Sequence, residues 1–493
     1  MKVVAIFLLT CVSHPVLFGQ NGRVGINTNL PKAGLHVADS NVVFSAAGLA
    51  PAVPGPPPLS GDGRRMMWYP EKAAFMAGYA YMNSWDKDSI GSHSAAFGFG
   101  SKAMGEGSFA CGEGSVARSI GSTAMGFHAV ASGHSATAAG LHSKSTGQNG
   151  VALGAFPMAS GTSAVAIGHG PVASNYASTA LGELTISSGH SSVAMGNRTV
   201  ASGNFSTATG ESTTALGAWS TAMGRGTIAA SGGEMVIGLY NTRYTPFSGN
   251  EFHPNDQLFT IGNGINDGDA GRSNALVILK NGNTSFGSVN PIAKVEMIHN
   301  SVTTSPTLTL YENDIDYARL QFANNGTGRL WQTAAYADGV NHNNSKYNIF
   351  YHNGISGTDI LSISGNGNAT LAGTLTQNSD ARLKTGIRPI TGALQQLLQV
   401  AGYHYYWKNG DRDNSLQTGI LAQEVRRVFP ELVKESEMGT LSVNYSGLIP
   451  YIIESTKTQQ RELDDLKQKL INVEAQNTLL MKRLDALETR SGL

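Results

Sequence analysis

Gly161 to Gly210 reads GTSAVAIGHGPVASNYASTALGELTISSGHSSVAMGNRTVASGNFSTATG, and in it a glycine returns almost every seventh residue, with alanine or serine two places before. Stepped outward over Gly91–Gly238, the pattern gives glycine at 19 of 22 seventh positions, the exceptions being Ser119, Asn175 and Ser231. Alanine occupies 18 of the 22 positions two residues earlier. A period of seven is usually a helical heptad. Here a helix is rejected, because each interior glycine would cost about 1 kcal/mol against alanine. The remaining reading is a short extended stretch followed by a glycine turn, repeated as a solenoid.

The residue between alanine and glycine sets the true unit. One phase reads Phe97, Cys111, Met125, Ala139, Leu153, Ile167, Leu181, Met195, Thr209, Met223 and Ile237. The other is mostly polar, with Arg118, Ser132, Thr146, Ser160, Ser174, Ser188 and Ser202, and loses its polarity toward the two ends, at Met104, Leu216 and Ala230. The repeat is therefore fourteen residues, two strands per coil. Neighbouring strand residues face opposite ways, so an alanine-filled interior puts the apolar column outside. Soluble monomers avoid such a stripe. Either identical chains side by side or another part of the same chain must cover it.

The segments "SGTSAVAIGHG", "SSVAMGNRTVASGNFSTATGES" and "STALGEL" resemble the head repeats of trimeric bacterial surface adhesins. The resemblance spans residues 89–238 and implies a left-handed parallel β-roll with three chains packed together. That family ends in a membrane-embedded β-barrel anchor, which nothing in this sequence resembles.

Composition follows the same division. The chain of 493 residues has 60 glycines, about 12% where about 7% is usual, and only 14% charged residues against about 25%. Its 34 basic and 34 acidic residues give no net bias toward nucleic acid or an anionic membrane. Lys2 and the apolar run Val3–Val12, with a cut after Gly19, read as an export signal over residues 1–19. Cys11, after Leu9-Thr10, is a poor lipidation site, and its loss with the signal would leave Cys111 without an intrachain partner. No later run reaches the roughly 20 apolar residues of a membrane span.

Residues 20–88 hold a short β-segment, "GRVGINTNLPKAGLHV", then a Pro/Gly-rich linker and "RMMWYPEKAAFMAG", where the roll is expected to be capped. Residues 239–375 read as a β-rich shaft: "NALVILKNGNTSFG" (274–287) and "DILSISGNGNATLAG" (359–373) each predict a hairpin about Asn-Gly. Asp256, Asp267, Asp269 and His342 show no metal-ligand spacing and read as solvated turn residues. No metal or other cofactor is expected.

Charge rises abruptly after this region, from 10 charged residues in 89–238 to 29 in 379–493. The motifs "SDARLK" (379–384) and "GILAQEV" (419–425), with a closing helical heptad, resemble the intramolecular chaperone domain of phage endosialidase tailspikes, also found in myelin regulatory factor. That resemblance implies an α/β domain that trimerises the fibre ahead of it and then cuts itself off before the motif serine. Carried over, the scissile bond joins Asn378 to Ser379, Ser379 is the nucleophile and Lys384 its base. Asp380, Arg382, Gln423 and Glu424 are supporting motif residues. A serine needs a neighbouring base, and a lysine serves only when burial lowers its pKa, so cutting should wait for assembly. The competing reading makes Ser379-Asp380 a helix N-cap and Lys384 a surface lysine.

The last helix carries an assembly signal of its own within a predicted coiled coil at 449–488. Leu463, Leu466, Leu470, Val473, Asn477, Leu480, Leu484 and Leu487 alternate in steps of three and four. The whole reads as a mainly β, exported homotrimeric fibre at a cell surface, adhesin-like or structural, with host or surface glycans or proteins as further partners. The alternatives are an uncleaved surface protein with a trimerisation domain, and a glycan-degrading tail fibre, for which 240–375 offers no paired-carboxylate motif.

Overall fold

A computed structural model of the chain describes residues 17–20, 22–324, 326, 328–408 and 412–491. It divides into two units, 1–307 and 308–493. The apolar run read as an export signal lies outside the described residues. Leu17–Gln20 is a strand paired antiparallel with Arg23–Ile26, so a cut after Gly19 would remove three of its four residues.

In the first unit the fourteen-residue repeat is built as read. Each coil holds a five-residue strand, such as Thr123–Phe127, and a two-residue strand, such as Val130–Ala131. Each strand pairs in parallel with its copy fourteen residues on: Ala124 lies beside Ala138, and Ala131 beside Ser145. The alanine columns form the interior, with Ala124, Ala138, Ala152, Ala166 and Ala180 wholly buried. Ser187, which replaces one of them, is buried too and hydrogen-bonds Ser192. The apolar column lies outside, and Met125, Ile167, Met195 and Met223 each remain about 40% exposed in the single chain.

The two glycine columns differ in backbone. Every glycine from Gly98 to Gly238 in steps of fourteen has positive φ, as at Gly140 with +119°. A Cβ at Gly140 would stand 2.0 Å from the Gly154 carbonyl oxygen. The alternate column, Gly91, Gly105, Gly133, Gly147 and onward, lacks positive φ. All three exceptions, Ser119, Asn175 and Ser231, fall in this second column. There the Ser119 hydroxyl donates to the Ser132 carbonyl at 2.6 Å and the Asn175 amide to that of Ser188 at 3.0 Å.

The alanine-lined interior is closed by bulk at both ends. The antiparallel hairpin Gly63–Tyr69 and Ala74–Ala80 adds to the first coil in parallel, with Met76 beside Ala96, and Tyr69, Met76, Trp85 and Ile90 are fully buried there. At the far end the repeat stops at Gly238 but the sheet does not. After a loop, Gln257–Asn263 joins Met235–Leu239 in parallel, and the hairpin Asn274–Leu279 with Thr284–Phe286 continues the sheet to Val295–Met297. The boundary read at 238/239 thus marks the end of the repeat alone.

Asp256 corrects the reading of solvated turn residues. It is fully buried and accepts from the Phe247 and Ser248 amides at 2.7 and 3.0 Å, fixing the loop that leaves the repeat. Asp267 and Asp269 are instead exposed and share the Arg243 guanidinium. The segment at 282–297 also repeats the one at 22–37, a likeness the sequence reading missed. Thr284 pairs with Val295 as Val24 pairs with Leu35, with Pro291 standing where Pro31 does.

Glu234, also fully buried, ties this end together. Its Oε2 accepts from the Ala230 and Ser231 amides, both at 2.8 Å, and from the Tyr244 hydroxyl at 3.0 Å. Burial pushes its carboxyl up to about 7 from 4.5. The folded chain therefore holds a proton that the unfolded chain has lost across this interval. The stabilisation is full below about pH 4.5 and is lost as pH rises through 7, by up to roughly 3 kcal/mol. Thermal unfolding of the Glu234→Gln variant should show this part of the pH dependence between pH 5 and 8 removed. An unchanged pH profile would contradict the assignment.

In the second unit, Ala318–Ala323, Arg329–Tyr336, Lys346–Asn353, Gly357–Ser364 and Ala369–Leu371 form an antiparallel meander in sequence order. Both predicted hairpins are present, about 280–283 in the first unit and 365–368 here. In one chain this sheet has almost no core. Ala334 and Asn348 are its buried residues, while Phe322, Trp331 and Tyr347 are each about half exposed.

Candidate functional site

The 379–384 segment folds on itself. Asp380 caps the single 3-10 turn Ala381–Leu383, its carboxylate accepting from the Arg382 amide at 2.9 Å. The Arg382 side chain returns to the same carboxylate, with Nη2 to Oδ2 at 2.6 Å, and holds that carboxyl below the usual range. The turn brings residues five apart together: Lys384 Nζ donates to Ser379 Oγ at 2.7 Å. The capping reading and the dyad reading are thus compatible, because the cap makes the turn that forms the pair.

What the single chain does not provide is burial. Asn378, Ser379 and Lys384 are all exposed, so the desolvation that would turn a lysine into a base has to come from elsewhere. The contact can pass the serine proton to the lysine amine once that amine is neutral.

The remaining motif residues lie on another element. Helix α1, Ala393–Leu397, and helix α2, Ala422–Val428, belong to a small domain with two short antiparallel strand pairs. Val425, Phe429 and Leu432 form its core, with Leu397, Ile420 and Tyr451 packed around them. Glu424 is engaged in this packing: it accepts from the Tyr403 hydroxyl at 2.6 Å and the Ala401 amide at 3.3 Å. Gln423 is exposed. Among the described residues no hydrogen bond joins either of them to Ser379 or Lys384. Sequence reasoning also missed Phe429 and Tyr451, whose rings stand 4.4 Å apart and seat the last helix; a buried Phe just before a Pro was the available signal.

That helix, α3, runs from Ile449 to Ser491. Only its first turns are anchored, partly through Tyr451 to Glu431 at 2.6 Å. Beyond them the seam is bare: Leu463, Leu466, Leu470, Val473, Leu480, Leu484 and Leu487 are between 46% and 63% exposed, and Asn477 is exposed in line with them.

Comparison with known families agrees with this architecture. The chain carries adhesin-head repeats and an endosialidase-type chaperone domain. Residues 379–434 match the family described as the chaperone of endosialidase. Residues 117–143, 131–156, 159–182, 187–210 and 208–230 match the YadA head domain repeat. The chain is similar to the long tail fiber protein Gp37 of Salmonella phage S16, 29% identical over 182 residues, covering 32% of this chain and 23% of that protein. Gp37 of Enterobacteria phage K3 is 31% identical over 99 residues, covering 19% and 8%. The chain thus spans less than a quarter of the length of these relatives. Among the described residues no helix is long and apolar enough to cross a membrane, and no group of three His, Cys, Asp or Glu could hold a metal ion.

Proposed function

We propose that this chain is the subunit of an exported homotrimeric fibre at a cell surface, whose chaperone domain assembles the trimer and then releases itself between Asn378 and Ser379. The observation that carries the reading is the bare leucine seam of α3, a stripe that a solitary helix would leave in water. The half-exposed column on the roll and the coreless meander ask for the same remedy. Ser379 beside Lys384 supplies the cutting chemistry, and packing of three chains supplies the burial that the lysine lacks. The fibre, residues 20–378, would then be the adhesive or structural part.

The full-length Ser379→Ala chain, which stays in one piece, should have a native mass three times that of a single chain. Leu470→Asp with Leu484→Asp places charges in the seam and should weaken association at least a thousandfold, or about 4 kcal/mol. A monomeric mass for the Ser379→Ala chain at micromolar concentration would sink the fibre reading.

A further inference from the structure

Beyond assembly, one cleft on the first unit has the makings of a ligand site. Along one corner of the roll, aromatic rings stack from coil to coil. Tyr176 lies on His190 at 5.0 Å, His190 against Phe205 at 5.3 Å, and Phe205 on Trp219 at 6.0 Å with planes 6° apart. The stack then stops. The next position in the column, fourteen residues after Trp219, is Gly233, and a Cβ there would meet nothing within 4 Å. Beyond the Phe205 ring, Trp219 lines a cavity of about 400 Å³ together with Gly233, Phe252, Leu258, Glu251 and Lys280. That volume lies within the range of small-molecule sites.

Lys280 is the second observation. Its side chain is only 3% exposed, yet its ammonium has no hydrogen-bond partner. Asp256 stands 4.0 Å away, but both its oxygens already accept from backbone amides. The lysine's side chain lines the cleft, and its ammonium lies buried beside Asp256. With Asp256 behind the lysine and Glu251 on the lining, the cleft carries no net positive charge, which disfavours an anion. A tryptophan ring, a carboxylate acceptor and a buried ammonium beneath the wall of a small cavity suit a neutral, hydroxyl-rich ring.

We propose that this cleft binds a neutral hexopyranose, its C–H face stacked on Trp219, one hydroxyl donating to Glu251, and the buried Lys280 ammonium turning outward from Asp256 to donate to a ring oxygen or hydroxyl. The site rests on the fibre reading only in that the cleft must stay open when chains associate. The test applies the full-length Ser379→Ala chain and its variants to immobilised glycans ending in neutral hexoses, N-acetylhexosamines or hexuronic acids, with native mass measured on the same samples. The parent should be retained on a neutral-sugar arm. Trp219→Ala and Lys280→Met should each lower that signal at least tenfold, Trp219→Phe should restore part of it, and Trp331→Ala in the other unit should leave it unchanged. No retention by a trimeric parent, retention on the hexuronic arm alone, or equal retention by the Trp219→Ala chain overturns the site while leaving the fibre reading intact. A monomeric parent that still binds sugar through Trp219 overturns the fibre reading and keeps the site. Trp219 is exposed, so its alanine variant tests the site even if loss of Lys280 beside buried Asp256 unfolds the loop.

Discussion

Replacing Ser379 with alanine is expected to abolish release of the C-terminal fragment of about 115 residues, residues 379–493, seen as its disappearance from the mass spectrum of the purified protein. The expectation is all-or-none because the hydroxyl is the only atom of the dyad that can form the ester, and losing a nucleophile removes at least about three orders of magnitude of rate. Lys384→Met should give the same uncut chain, since it leaves the hydroxyl without its 2.7 Å partner. Arg382→Ala should slow cutting by about tenfold while still allowing it, because Asp380 keeps its own bond to the 382 amide and so keeps the turn. Dependence on assembly gives a sharper check. Both residues are exposed in the single chain, so the seam variant Leu470→Asp with Leu484→Asp should remain uncut with its dyad intact. Fragment from Ser379→Ala would refute the mechanism. Efficient cutting in a demonstrably monomeric seam variant would refute its coupling to assembly.

A second large effect should separate two glycines seven residues apart. Gly140→Ser should destabilise the roll by about 3 kcal/mol or more, because φ of +119° is strained for any residue with a Cβ and the new atom would meet the Gly154 carbonyl. Gly147→Ser should cost about 1 kcal/mol or less. Its Cβ would also begin close to a carbonyl, that of Gly161, but the chain already carries serine or asparagine at three equivalent positions, each with a side-chain bond to the adjoining coil or strand. Thermal melts of the two variants would decide the matter, and equal destabilisation would contradict the two-column account. A solenoid is held by nearest-neighbour interfaces, so damage at Gly140 should also open a protease-sensitive point in mid-roll.

The sequence made the roll legible because its period, its alanine column and its apolar column are each a direct imprint of the backbone. The difference between the glycine columns was also written there, since every exception keeps to one phase, but only the positive φ gives that pattern its cause. The continuation of the sheet past Gly238 was hidden by the loop before Gln257, which interrupts the period while Asp256 carries the chain back into register. Of the candidate site, the spacing of Ser379 and Lys384 let their contact be anticipated and Asp380 its cap, while the hydrogen bonds of Glu424 to Tyr403 and Ala401 were not readable from the motif. Both side chains are exposed in the single chain, so the burial that the proposed mechanism needs would have to come from packing between chains.

The uniform alanine interior has a consequence for how such a protein changes over generations. With the same small side chain at nearly every coil, no coil is fitted to its own neighbours more than to any other, and a unit can be lost or duplicated without repacking what remains. Reach from base to tip then becomes a quantity counted in whole steps of fourteen codons, about 4.8 Å each. A loss of seven would instead throw the two glycine columns out of phase. Slippage in repetitive DNA can therefore lengthen or shorten the fibre in discrete, heritable increments while its cross-section stays the same.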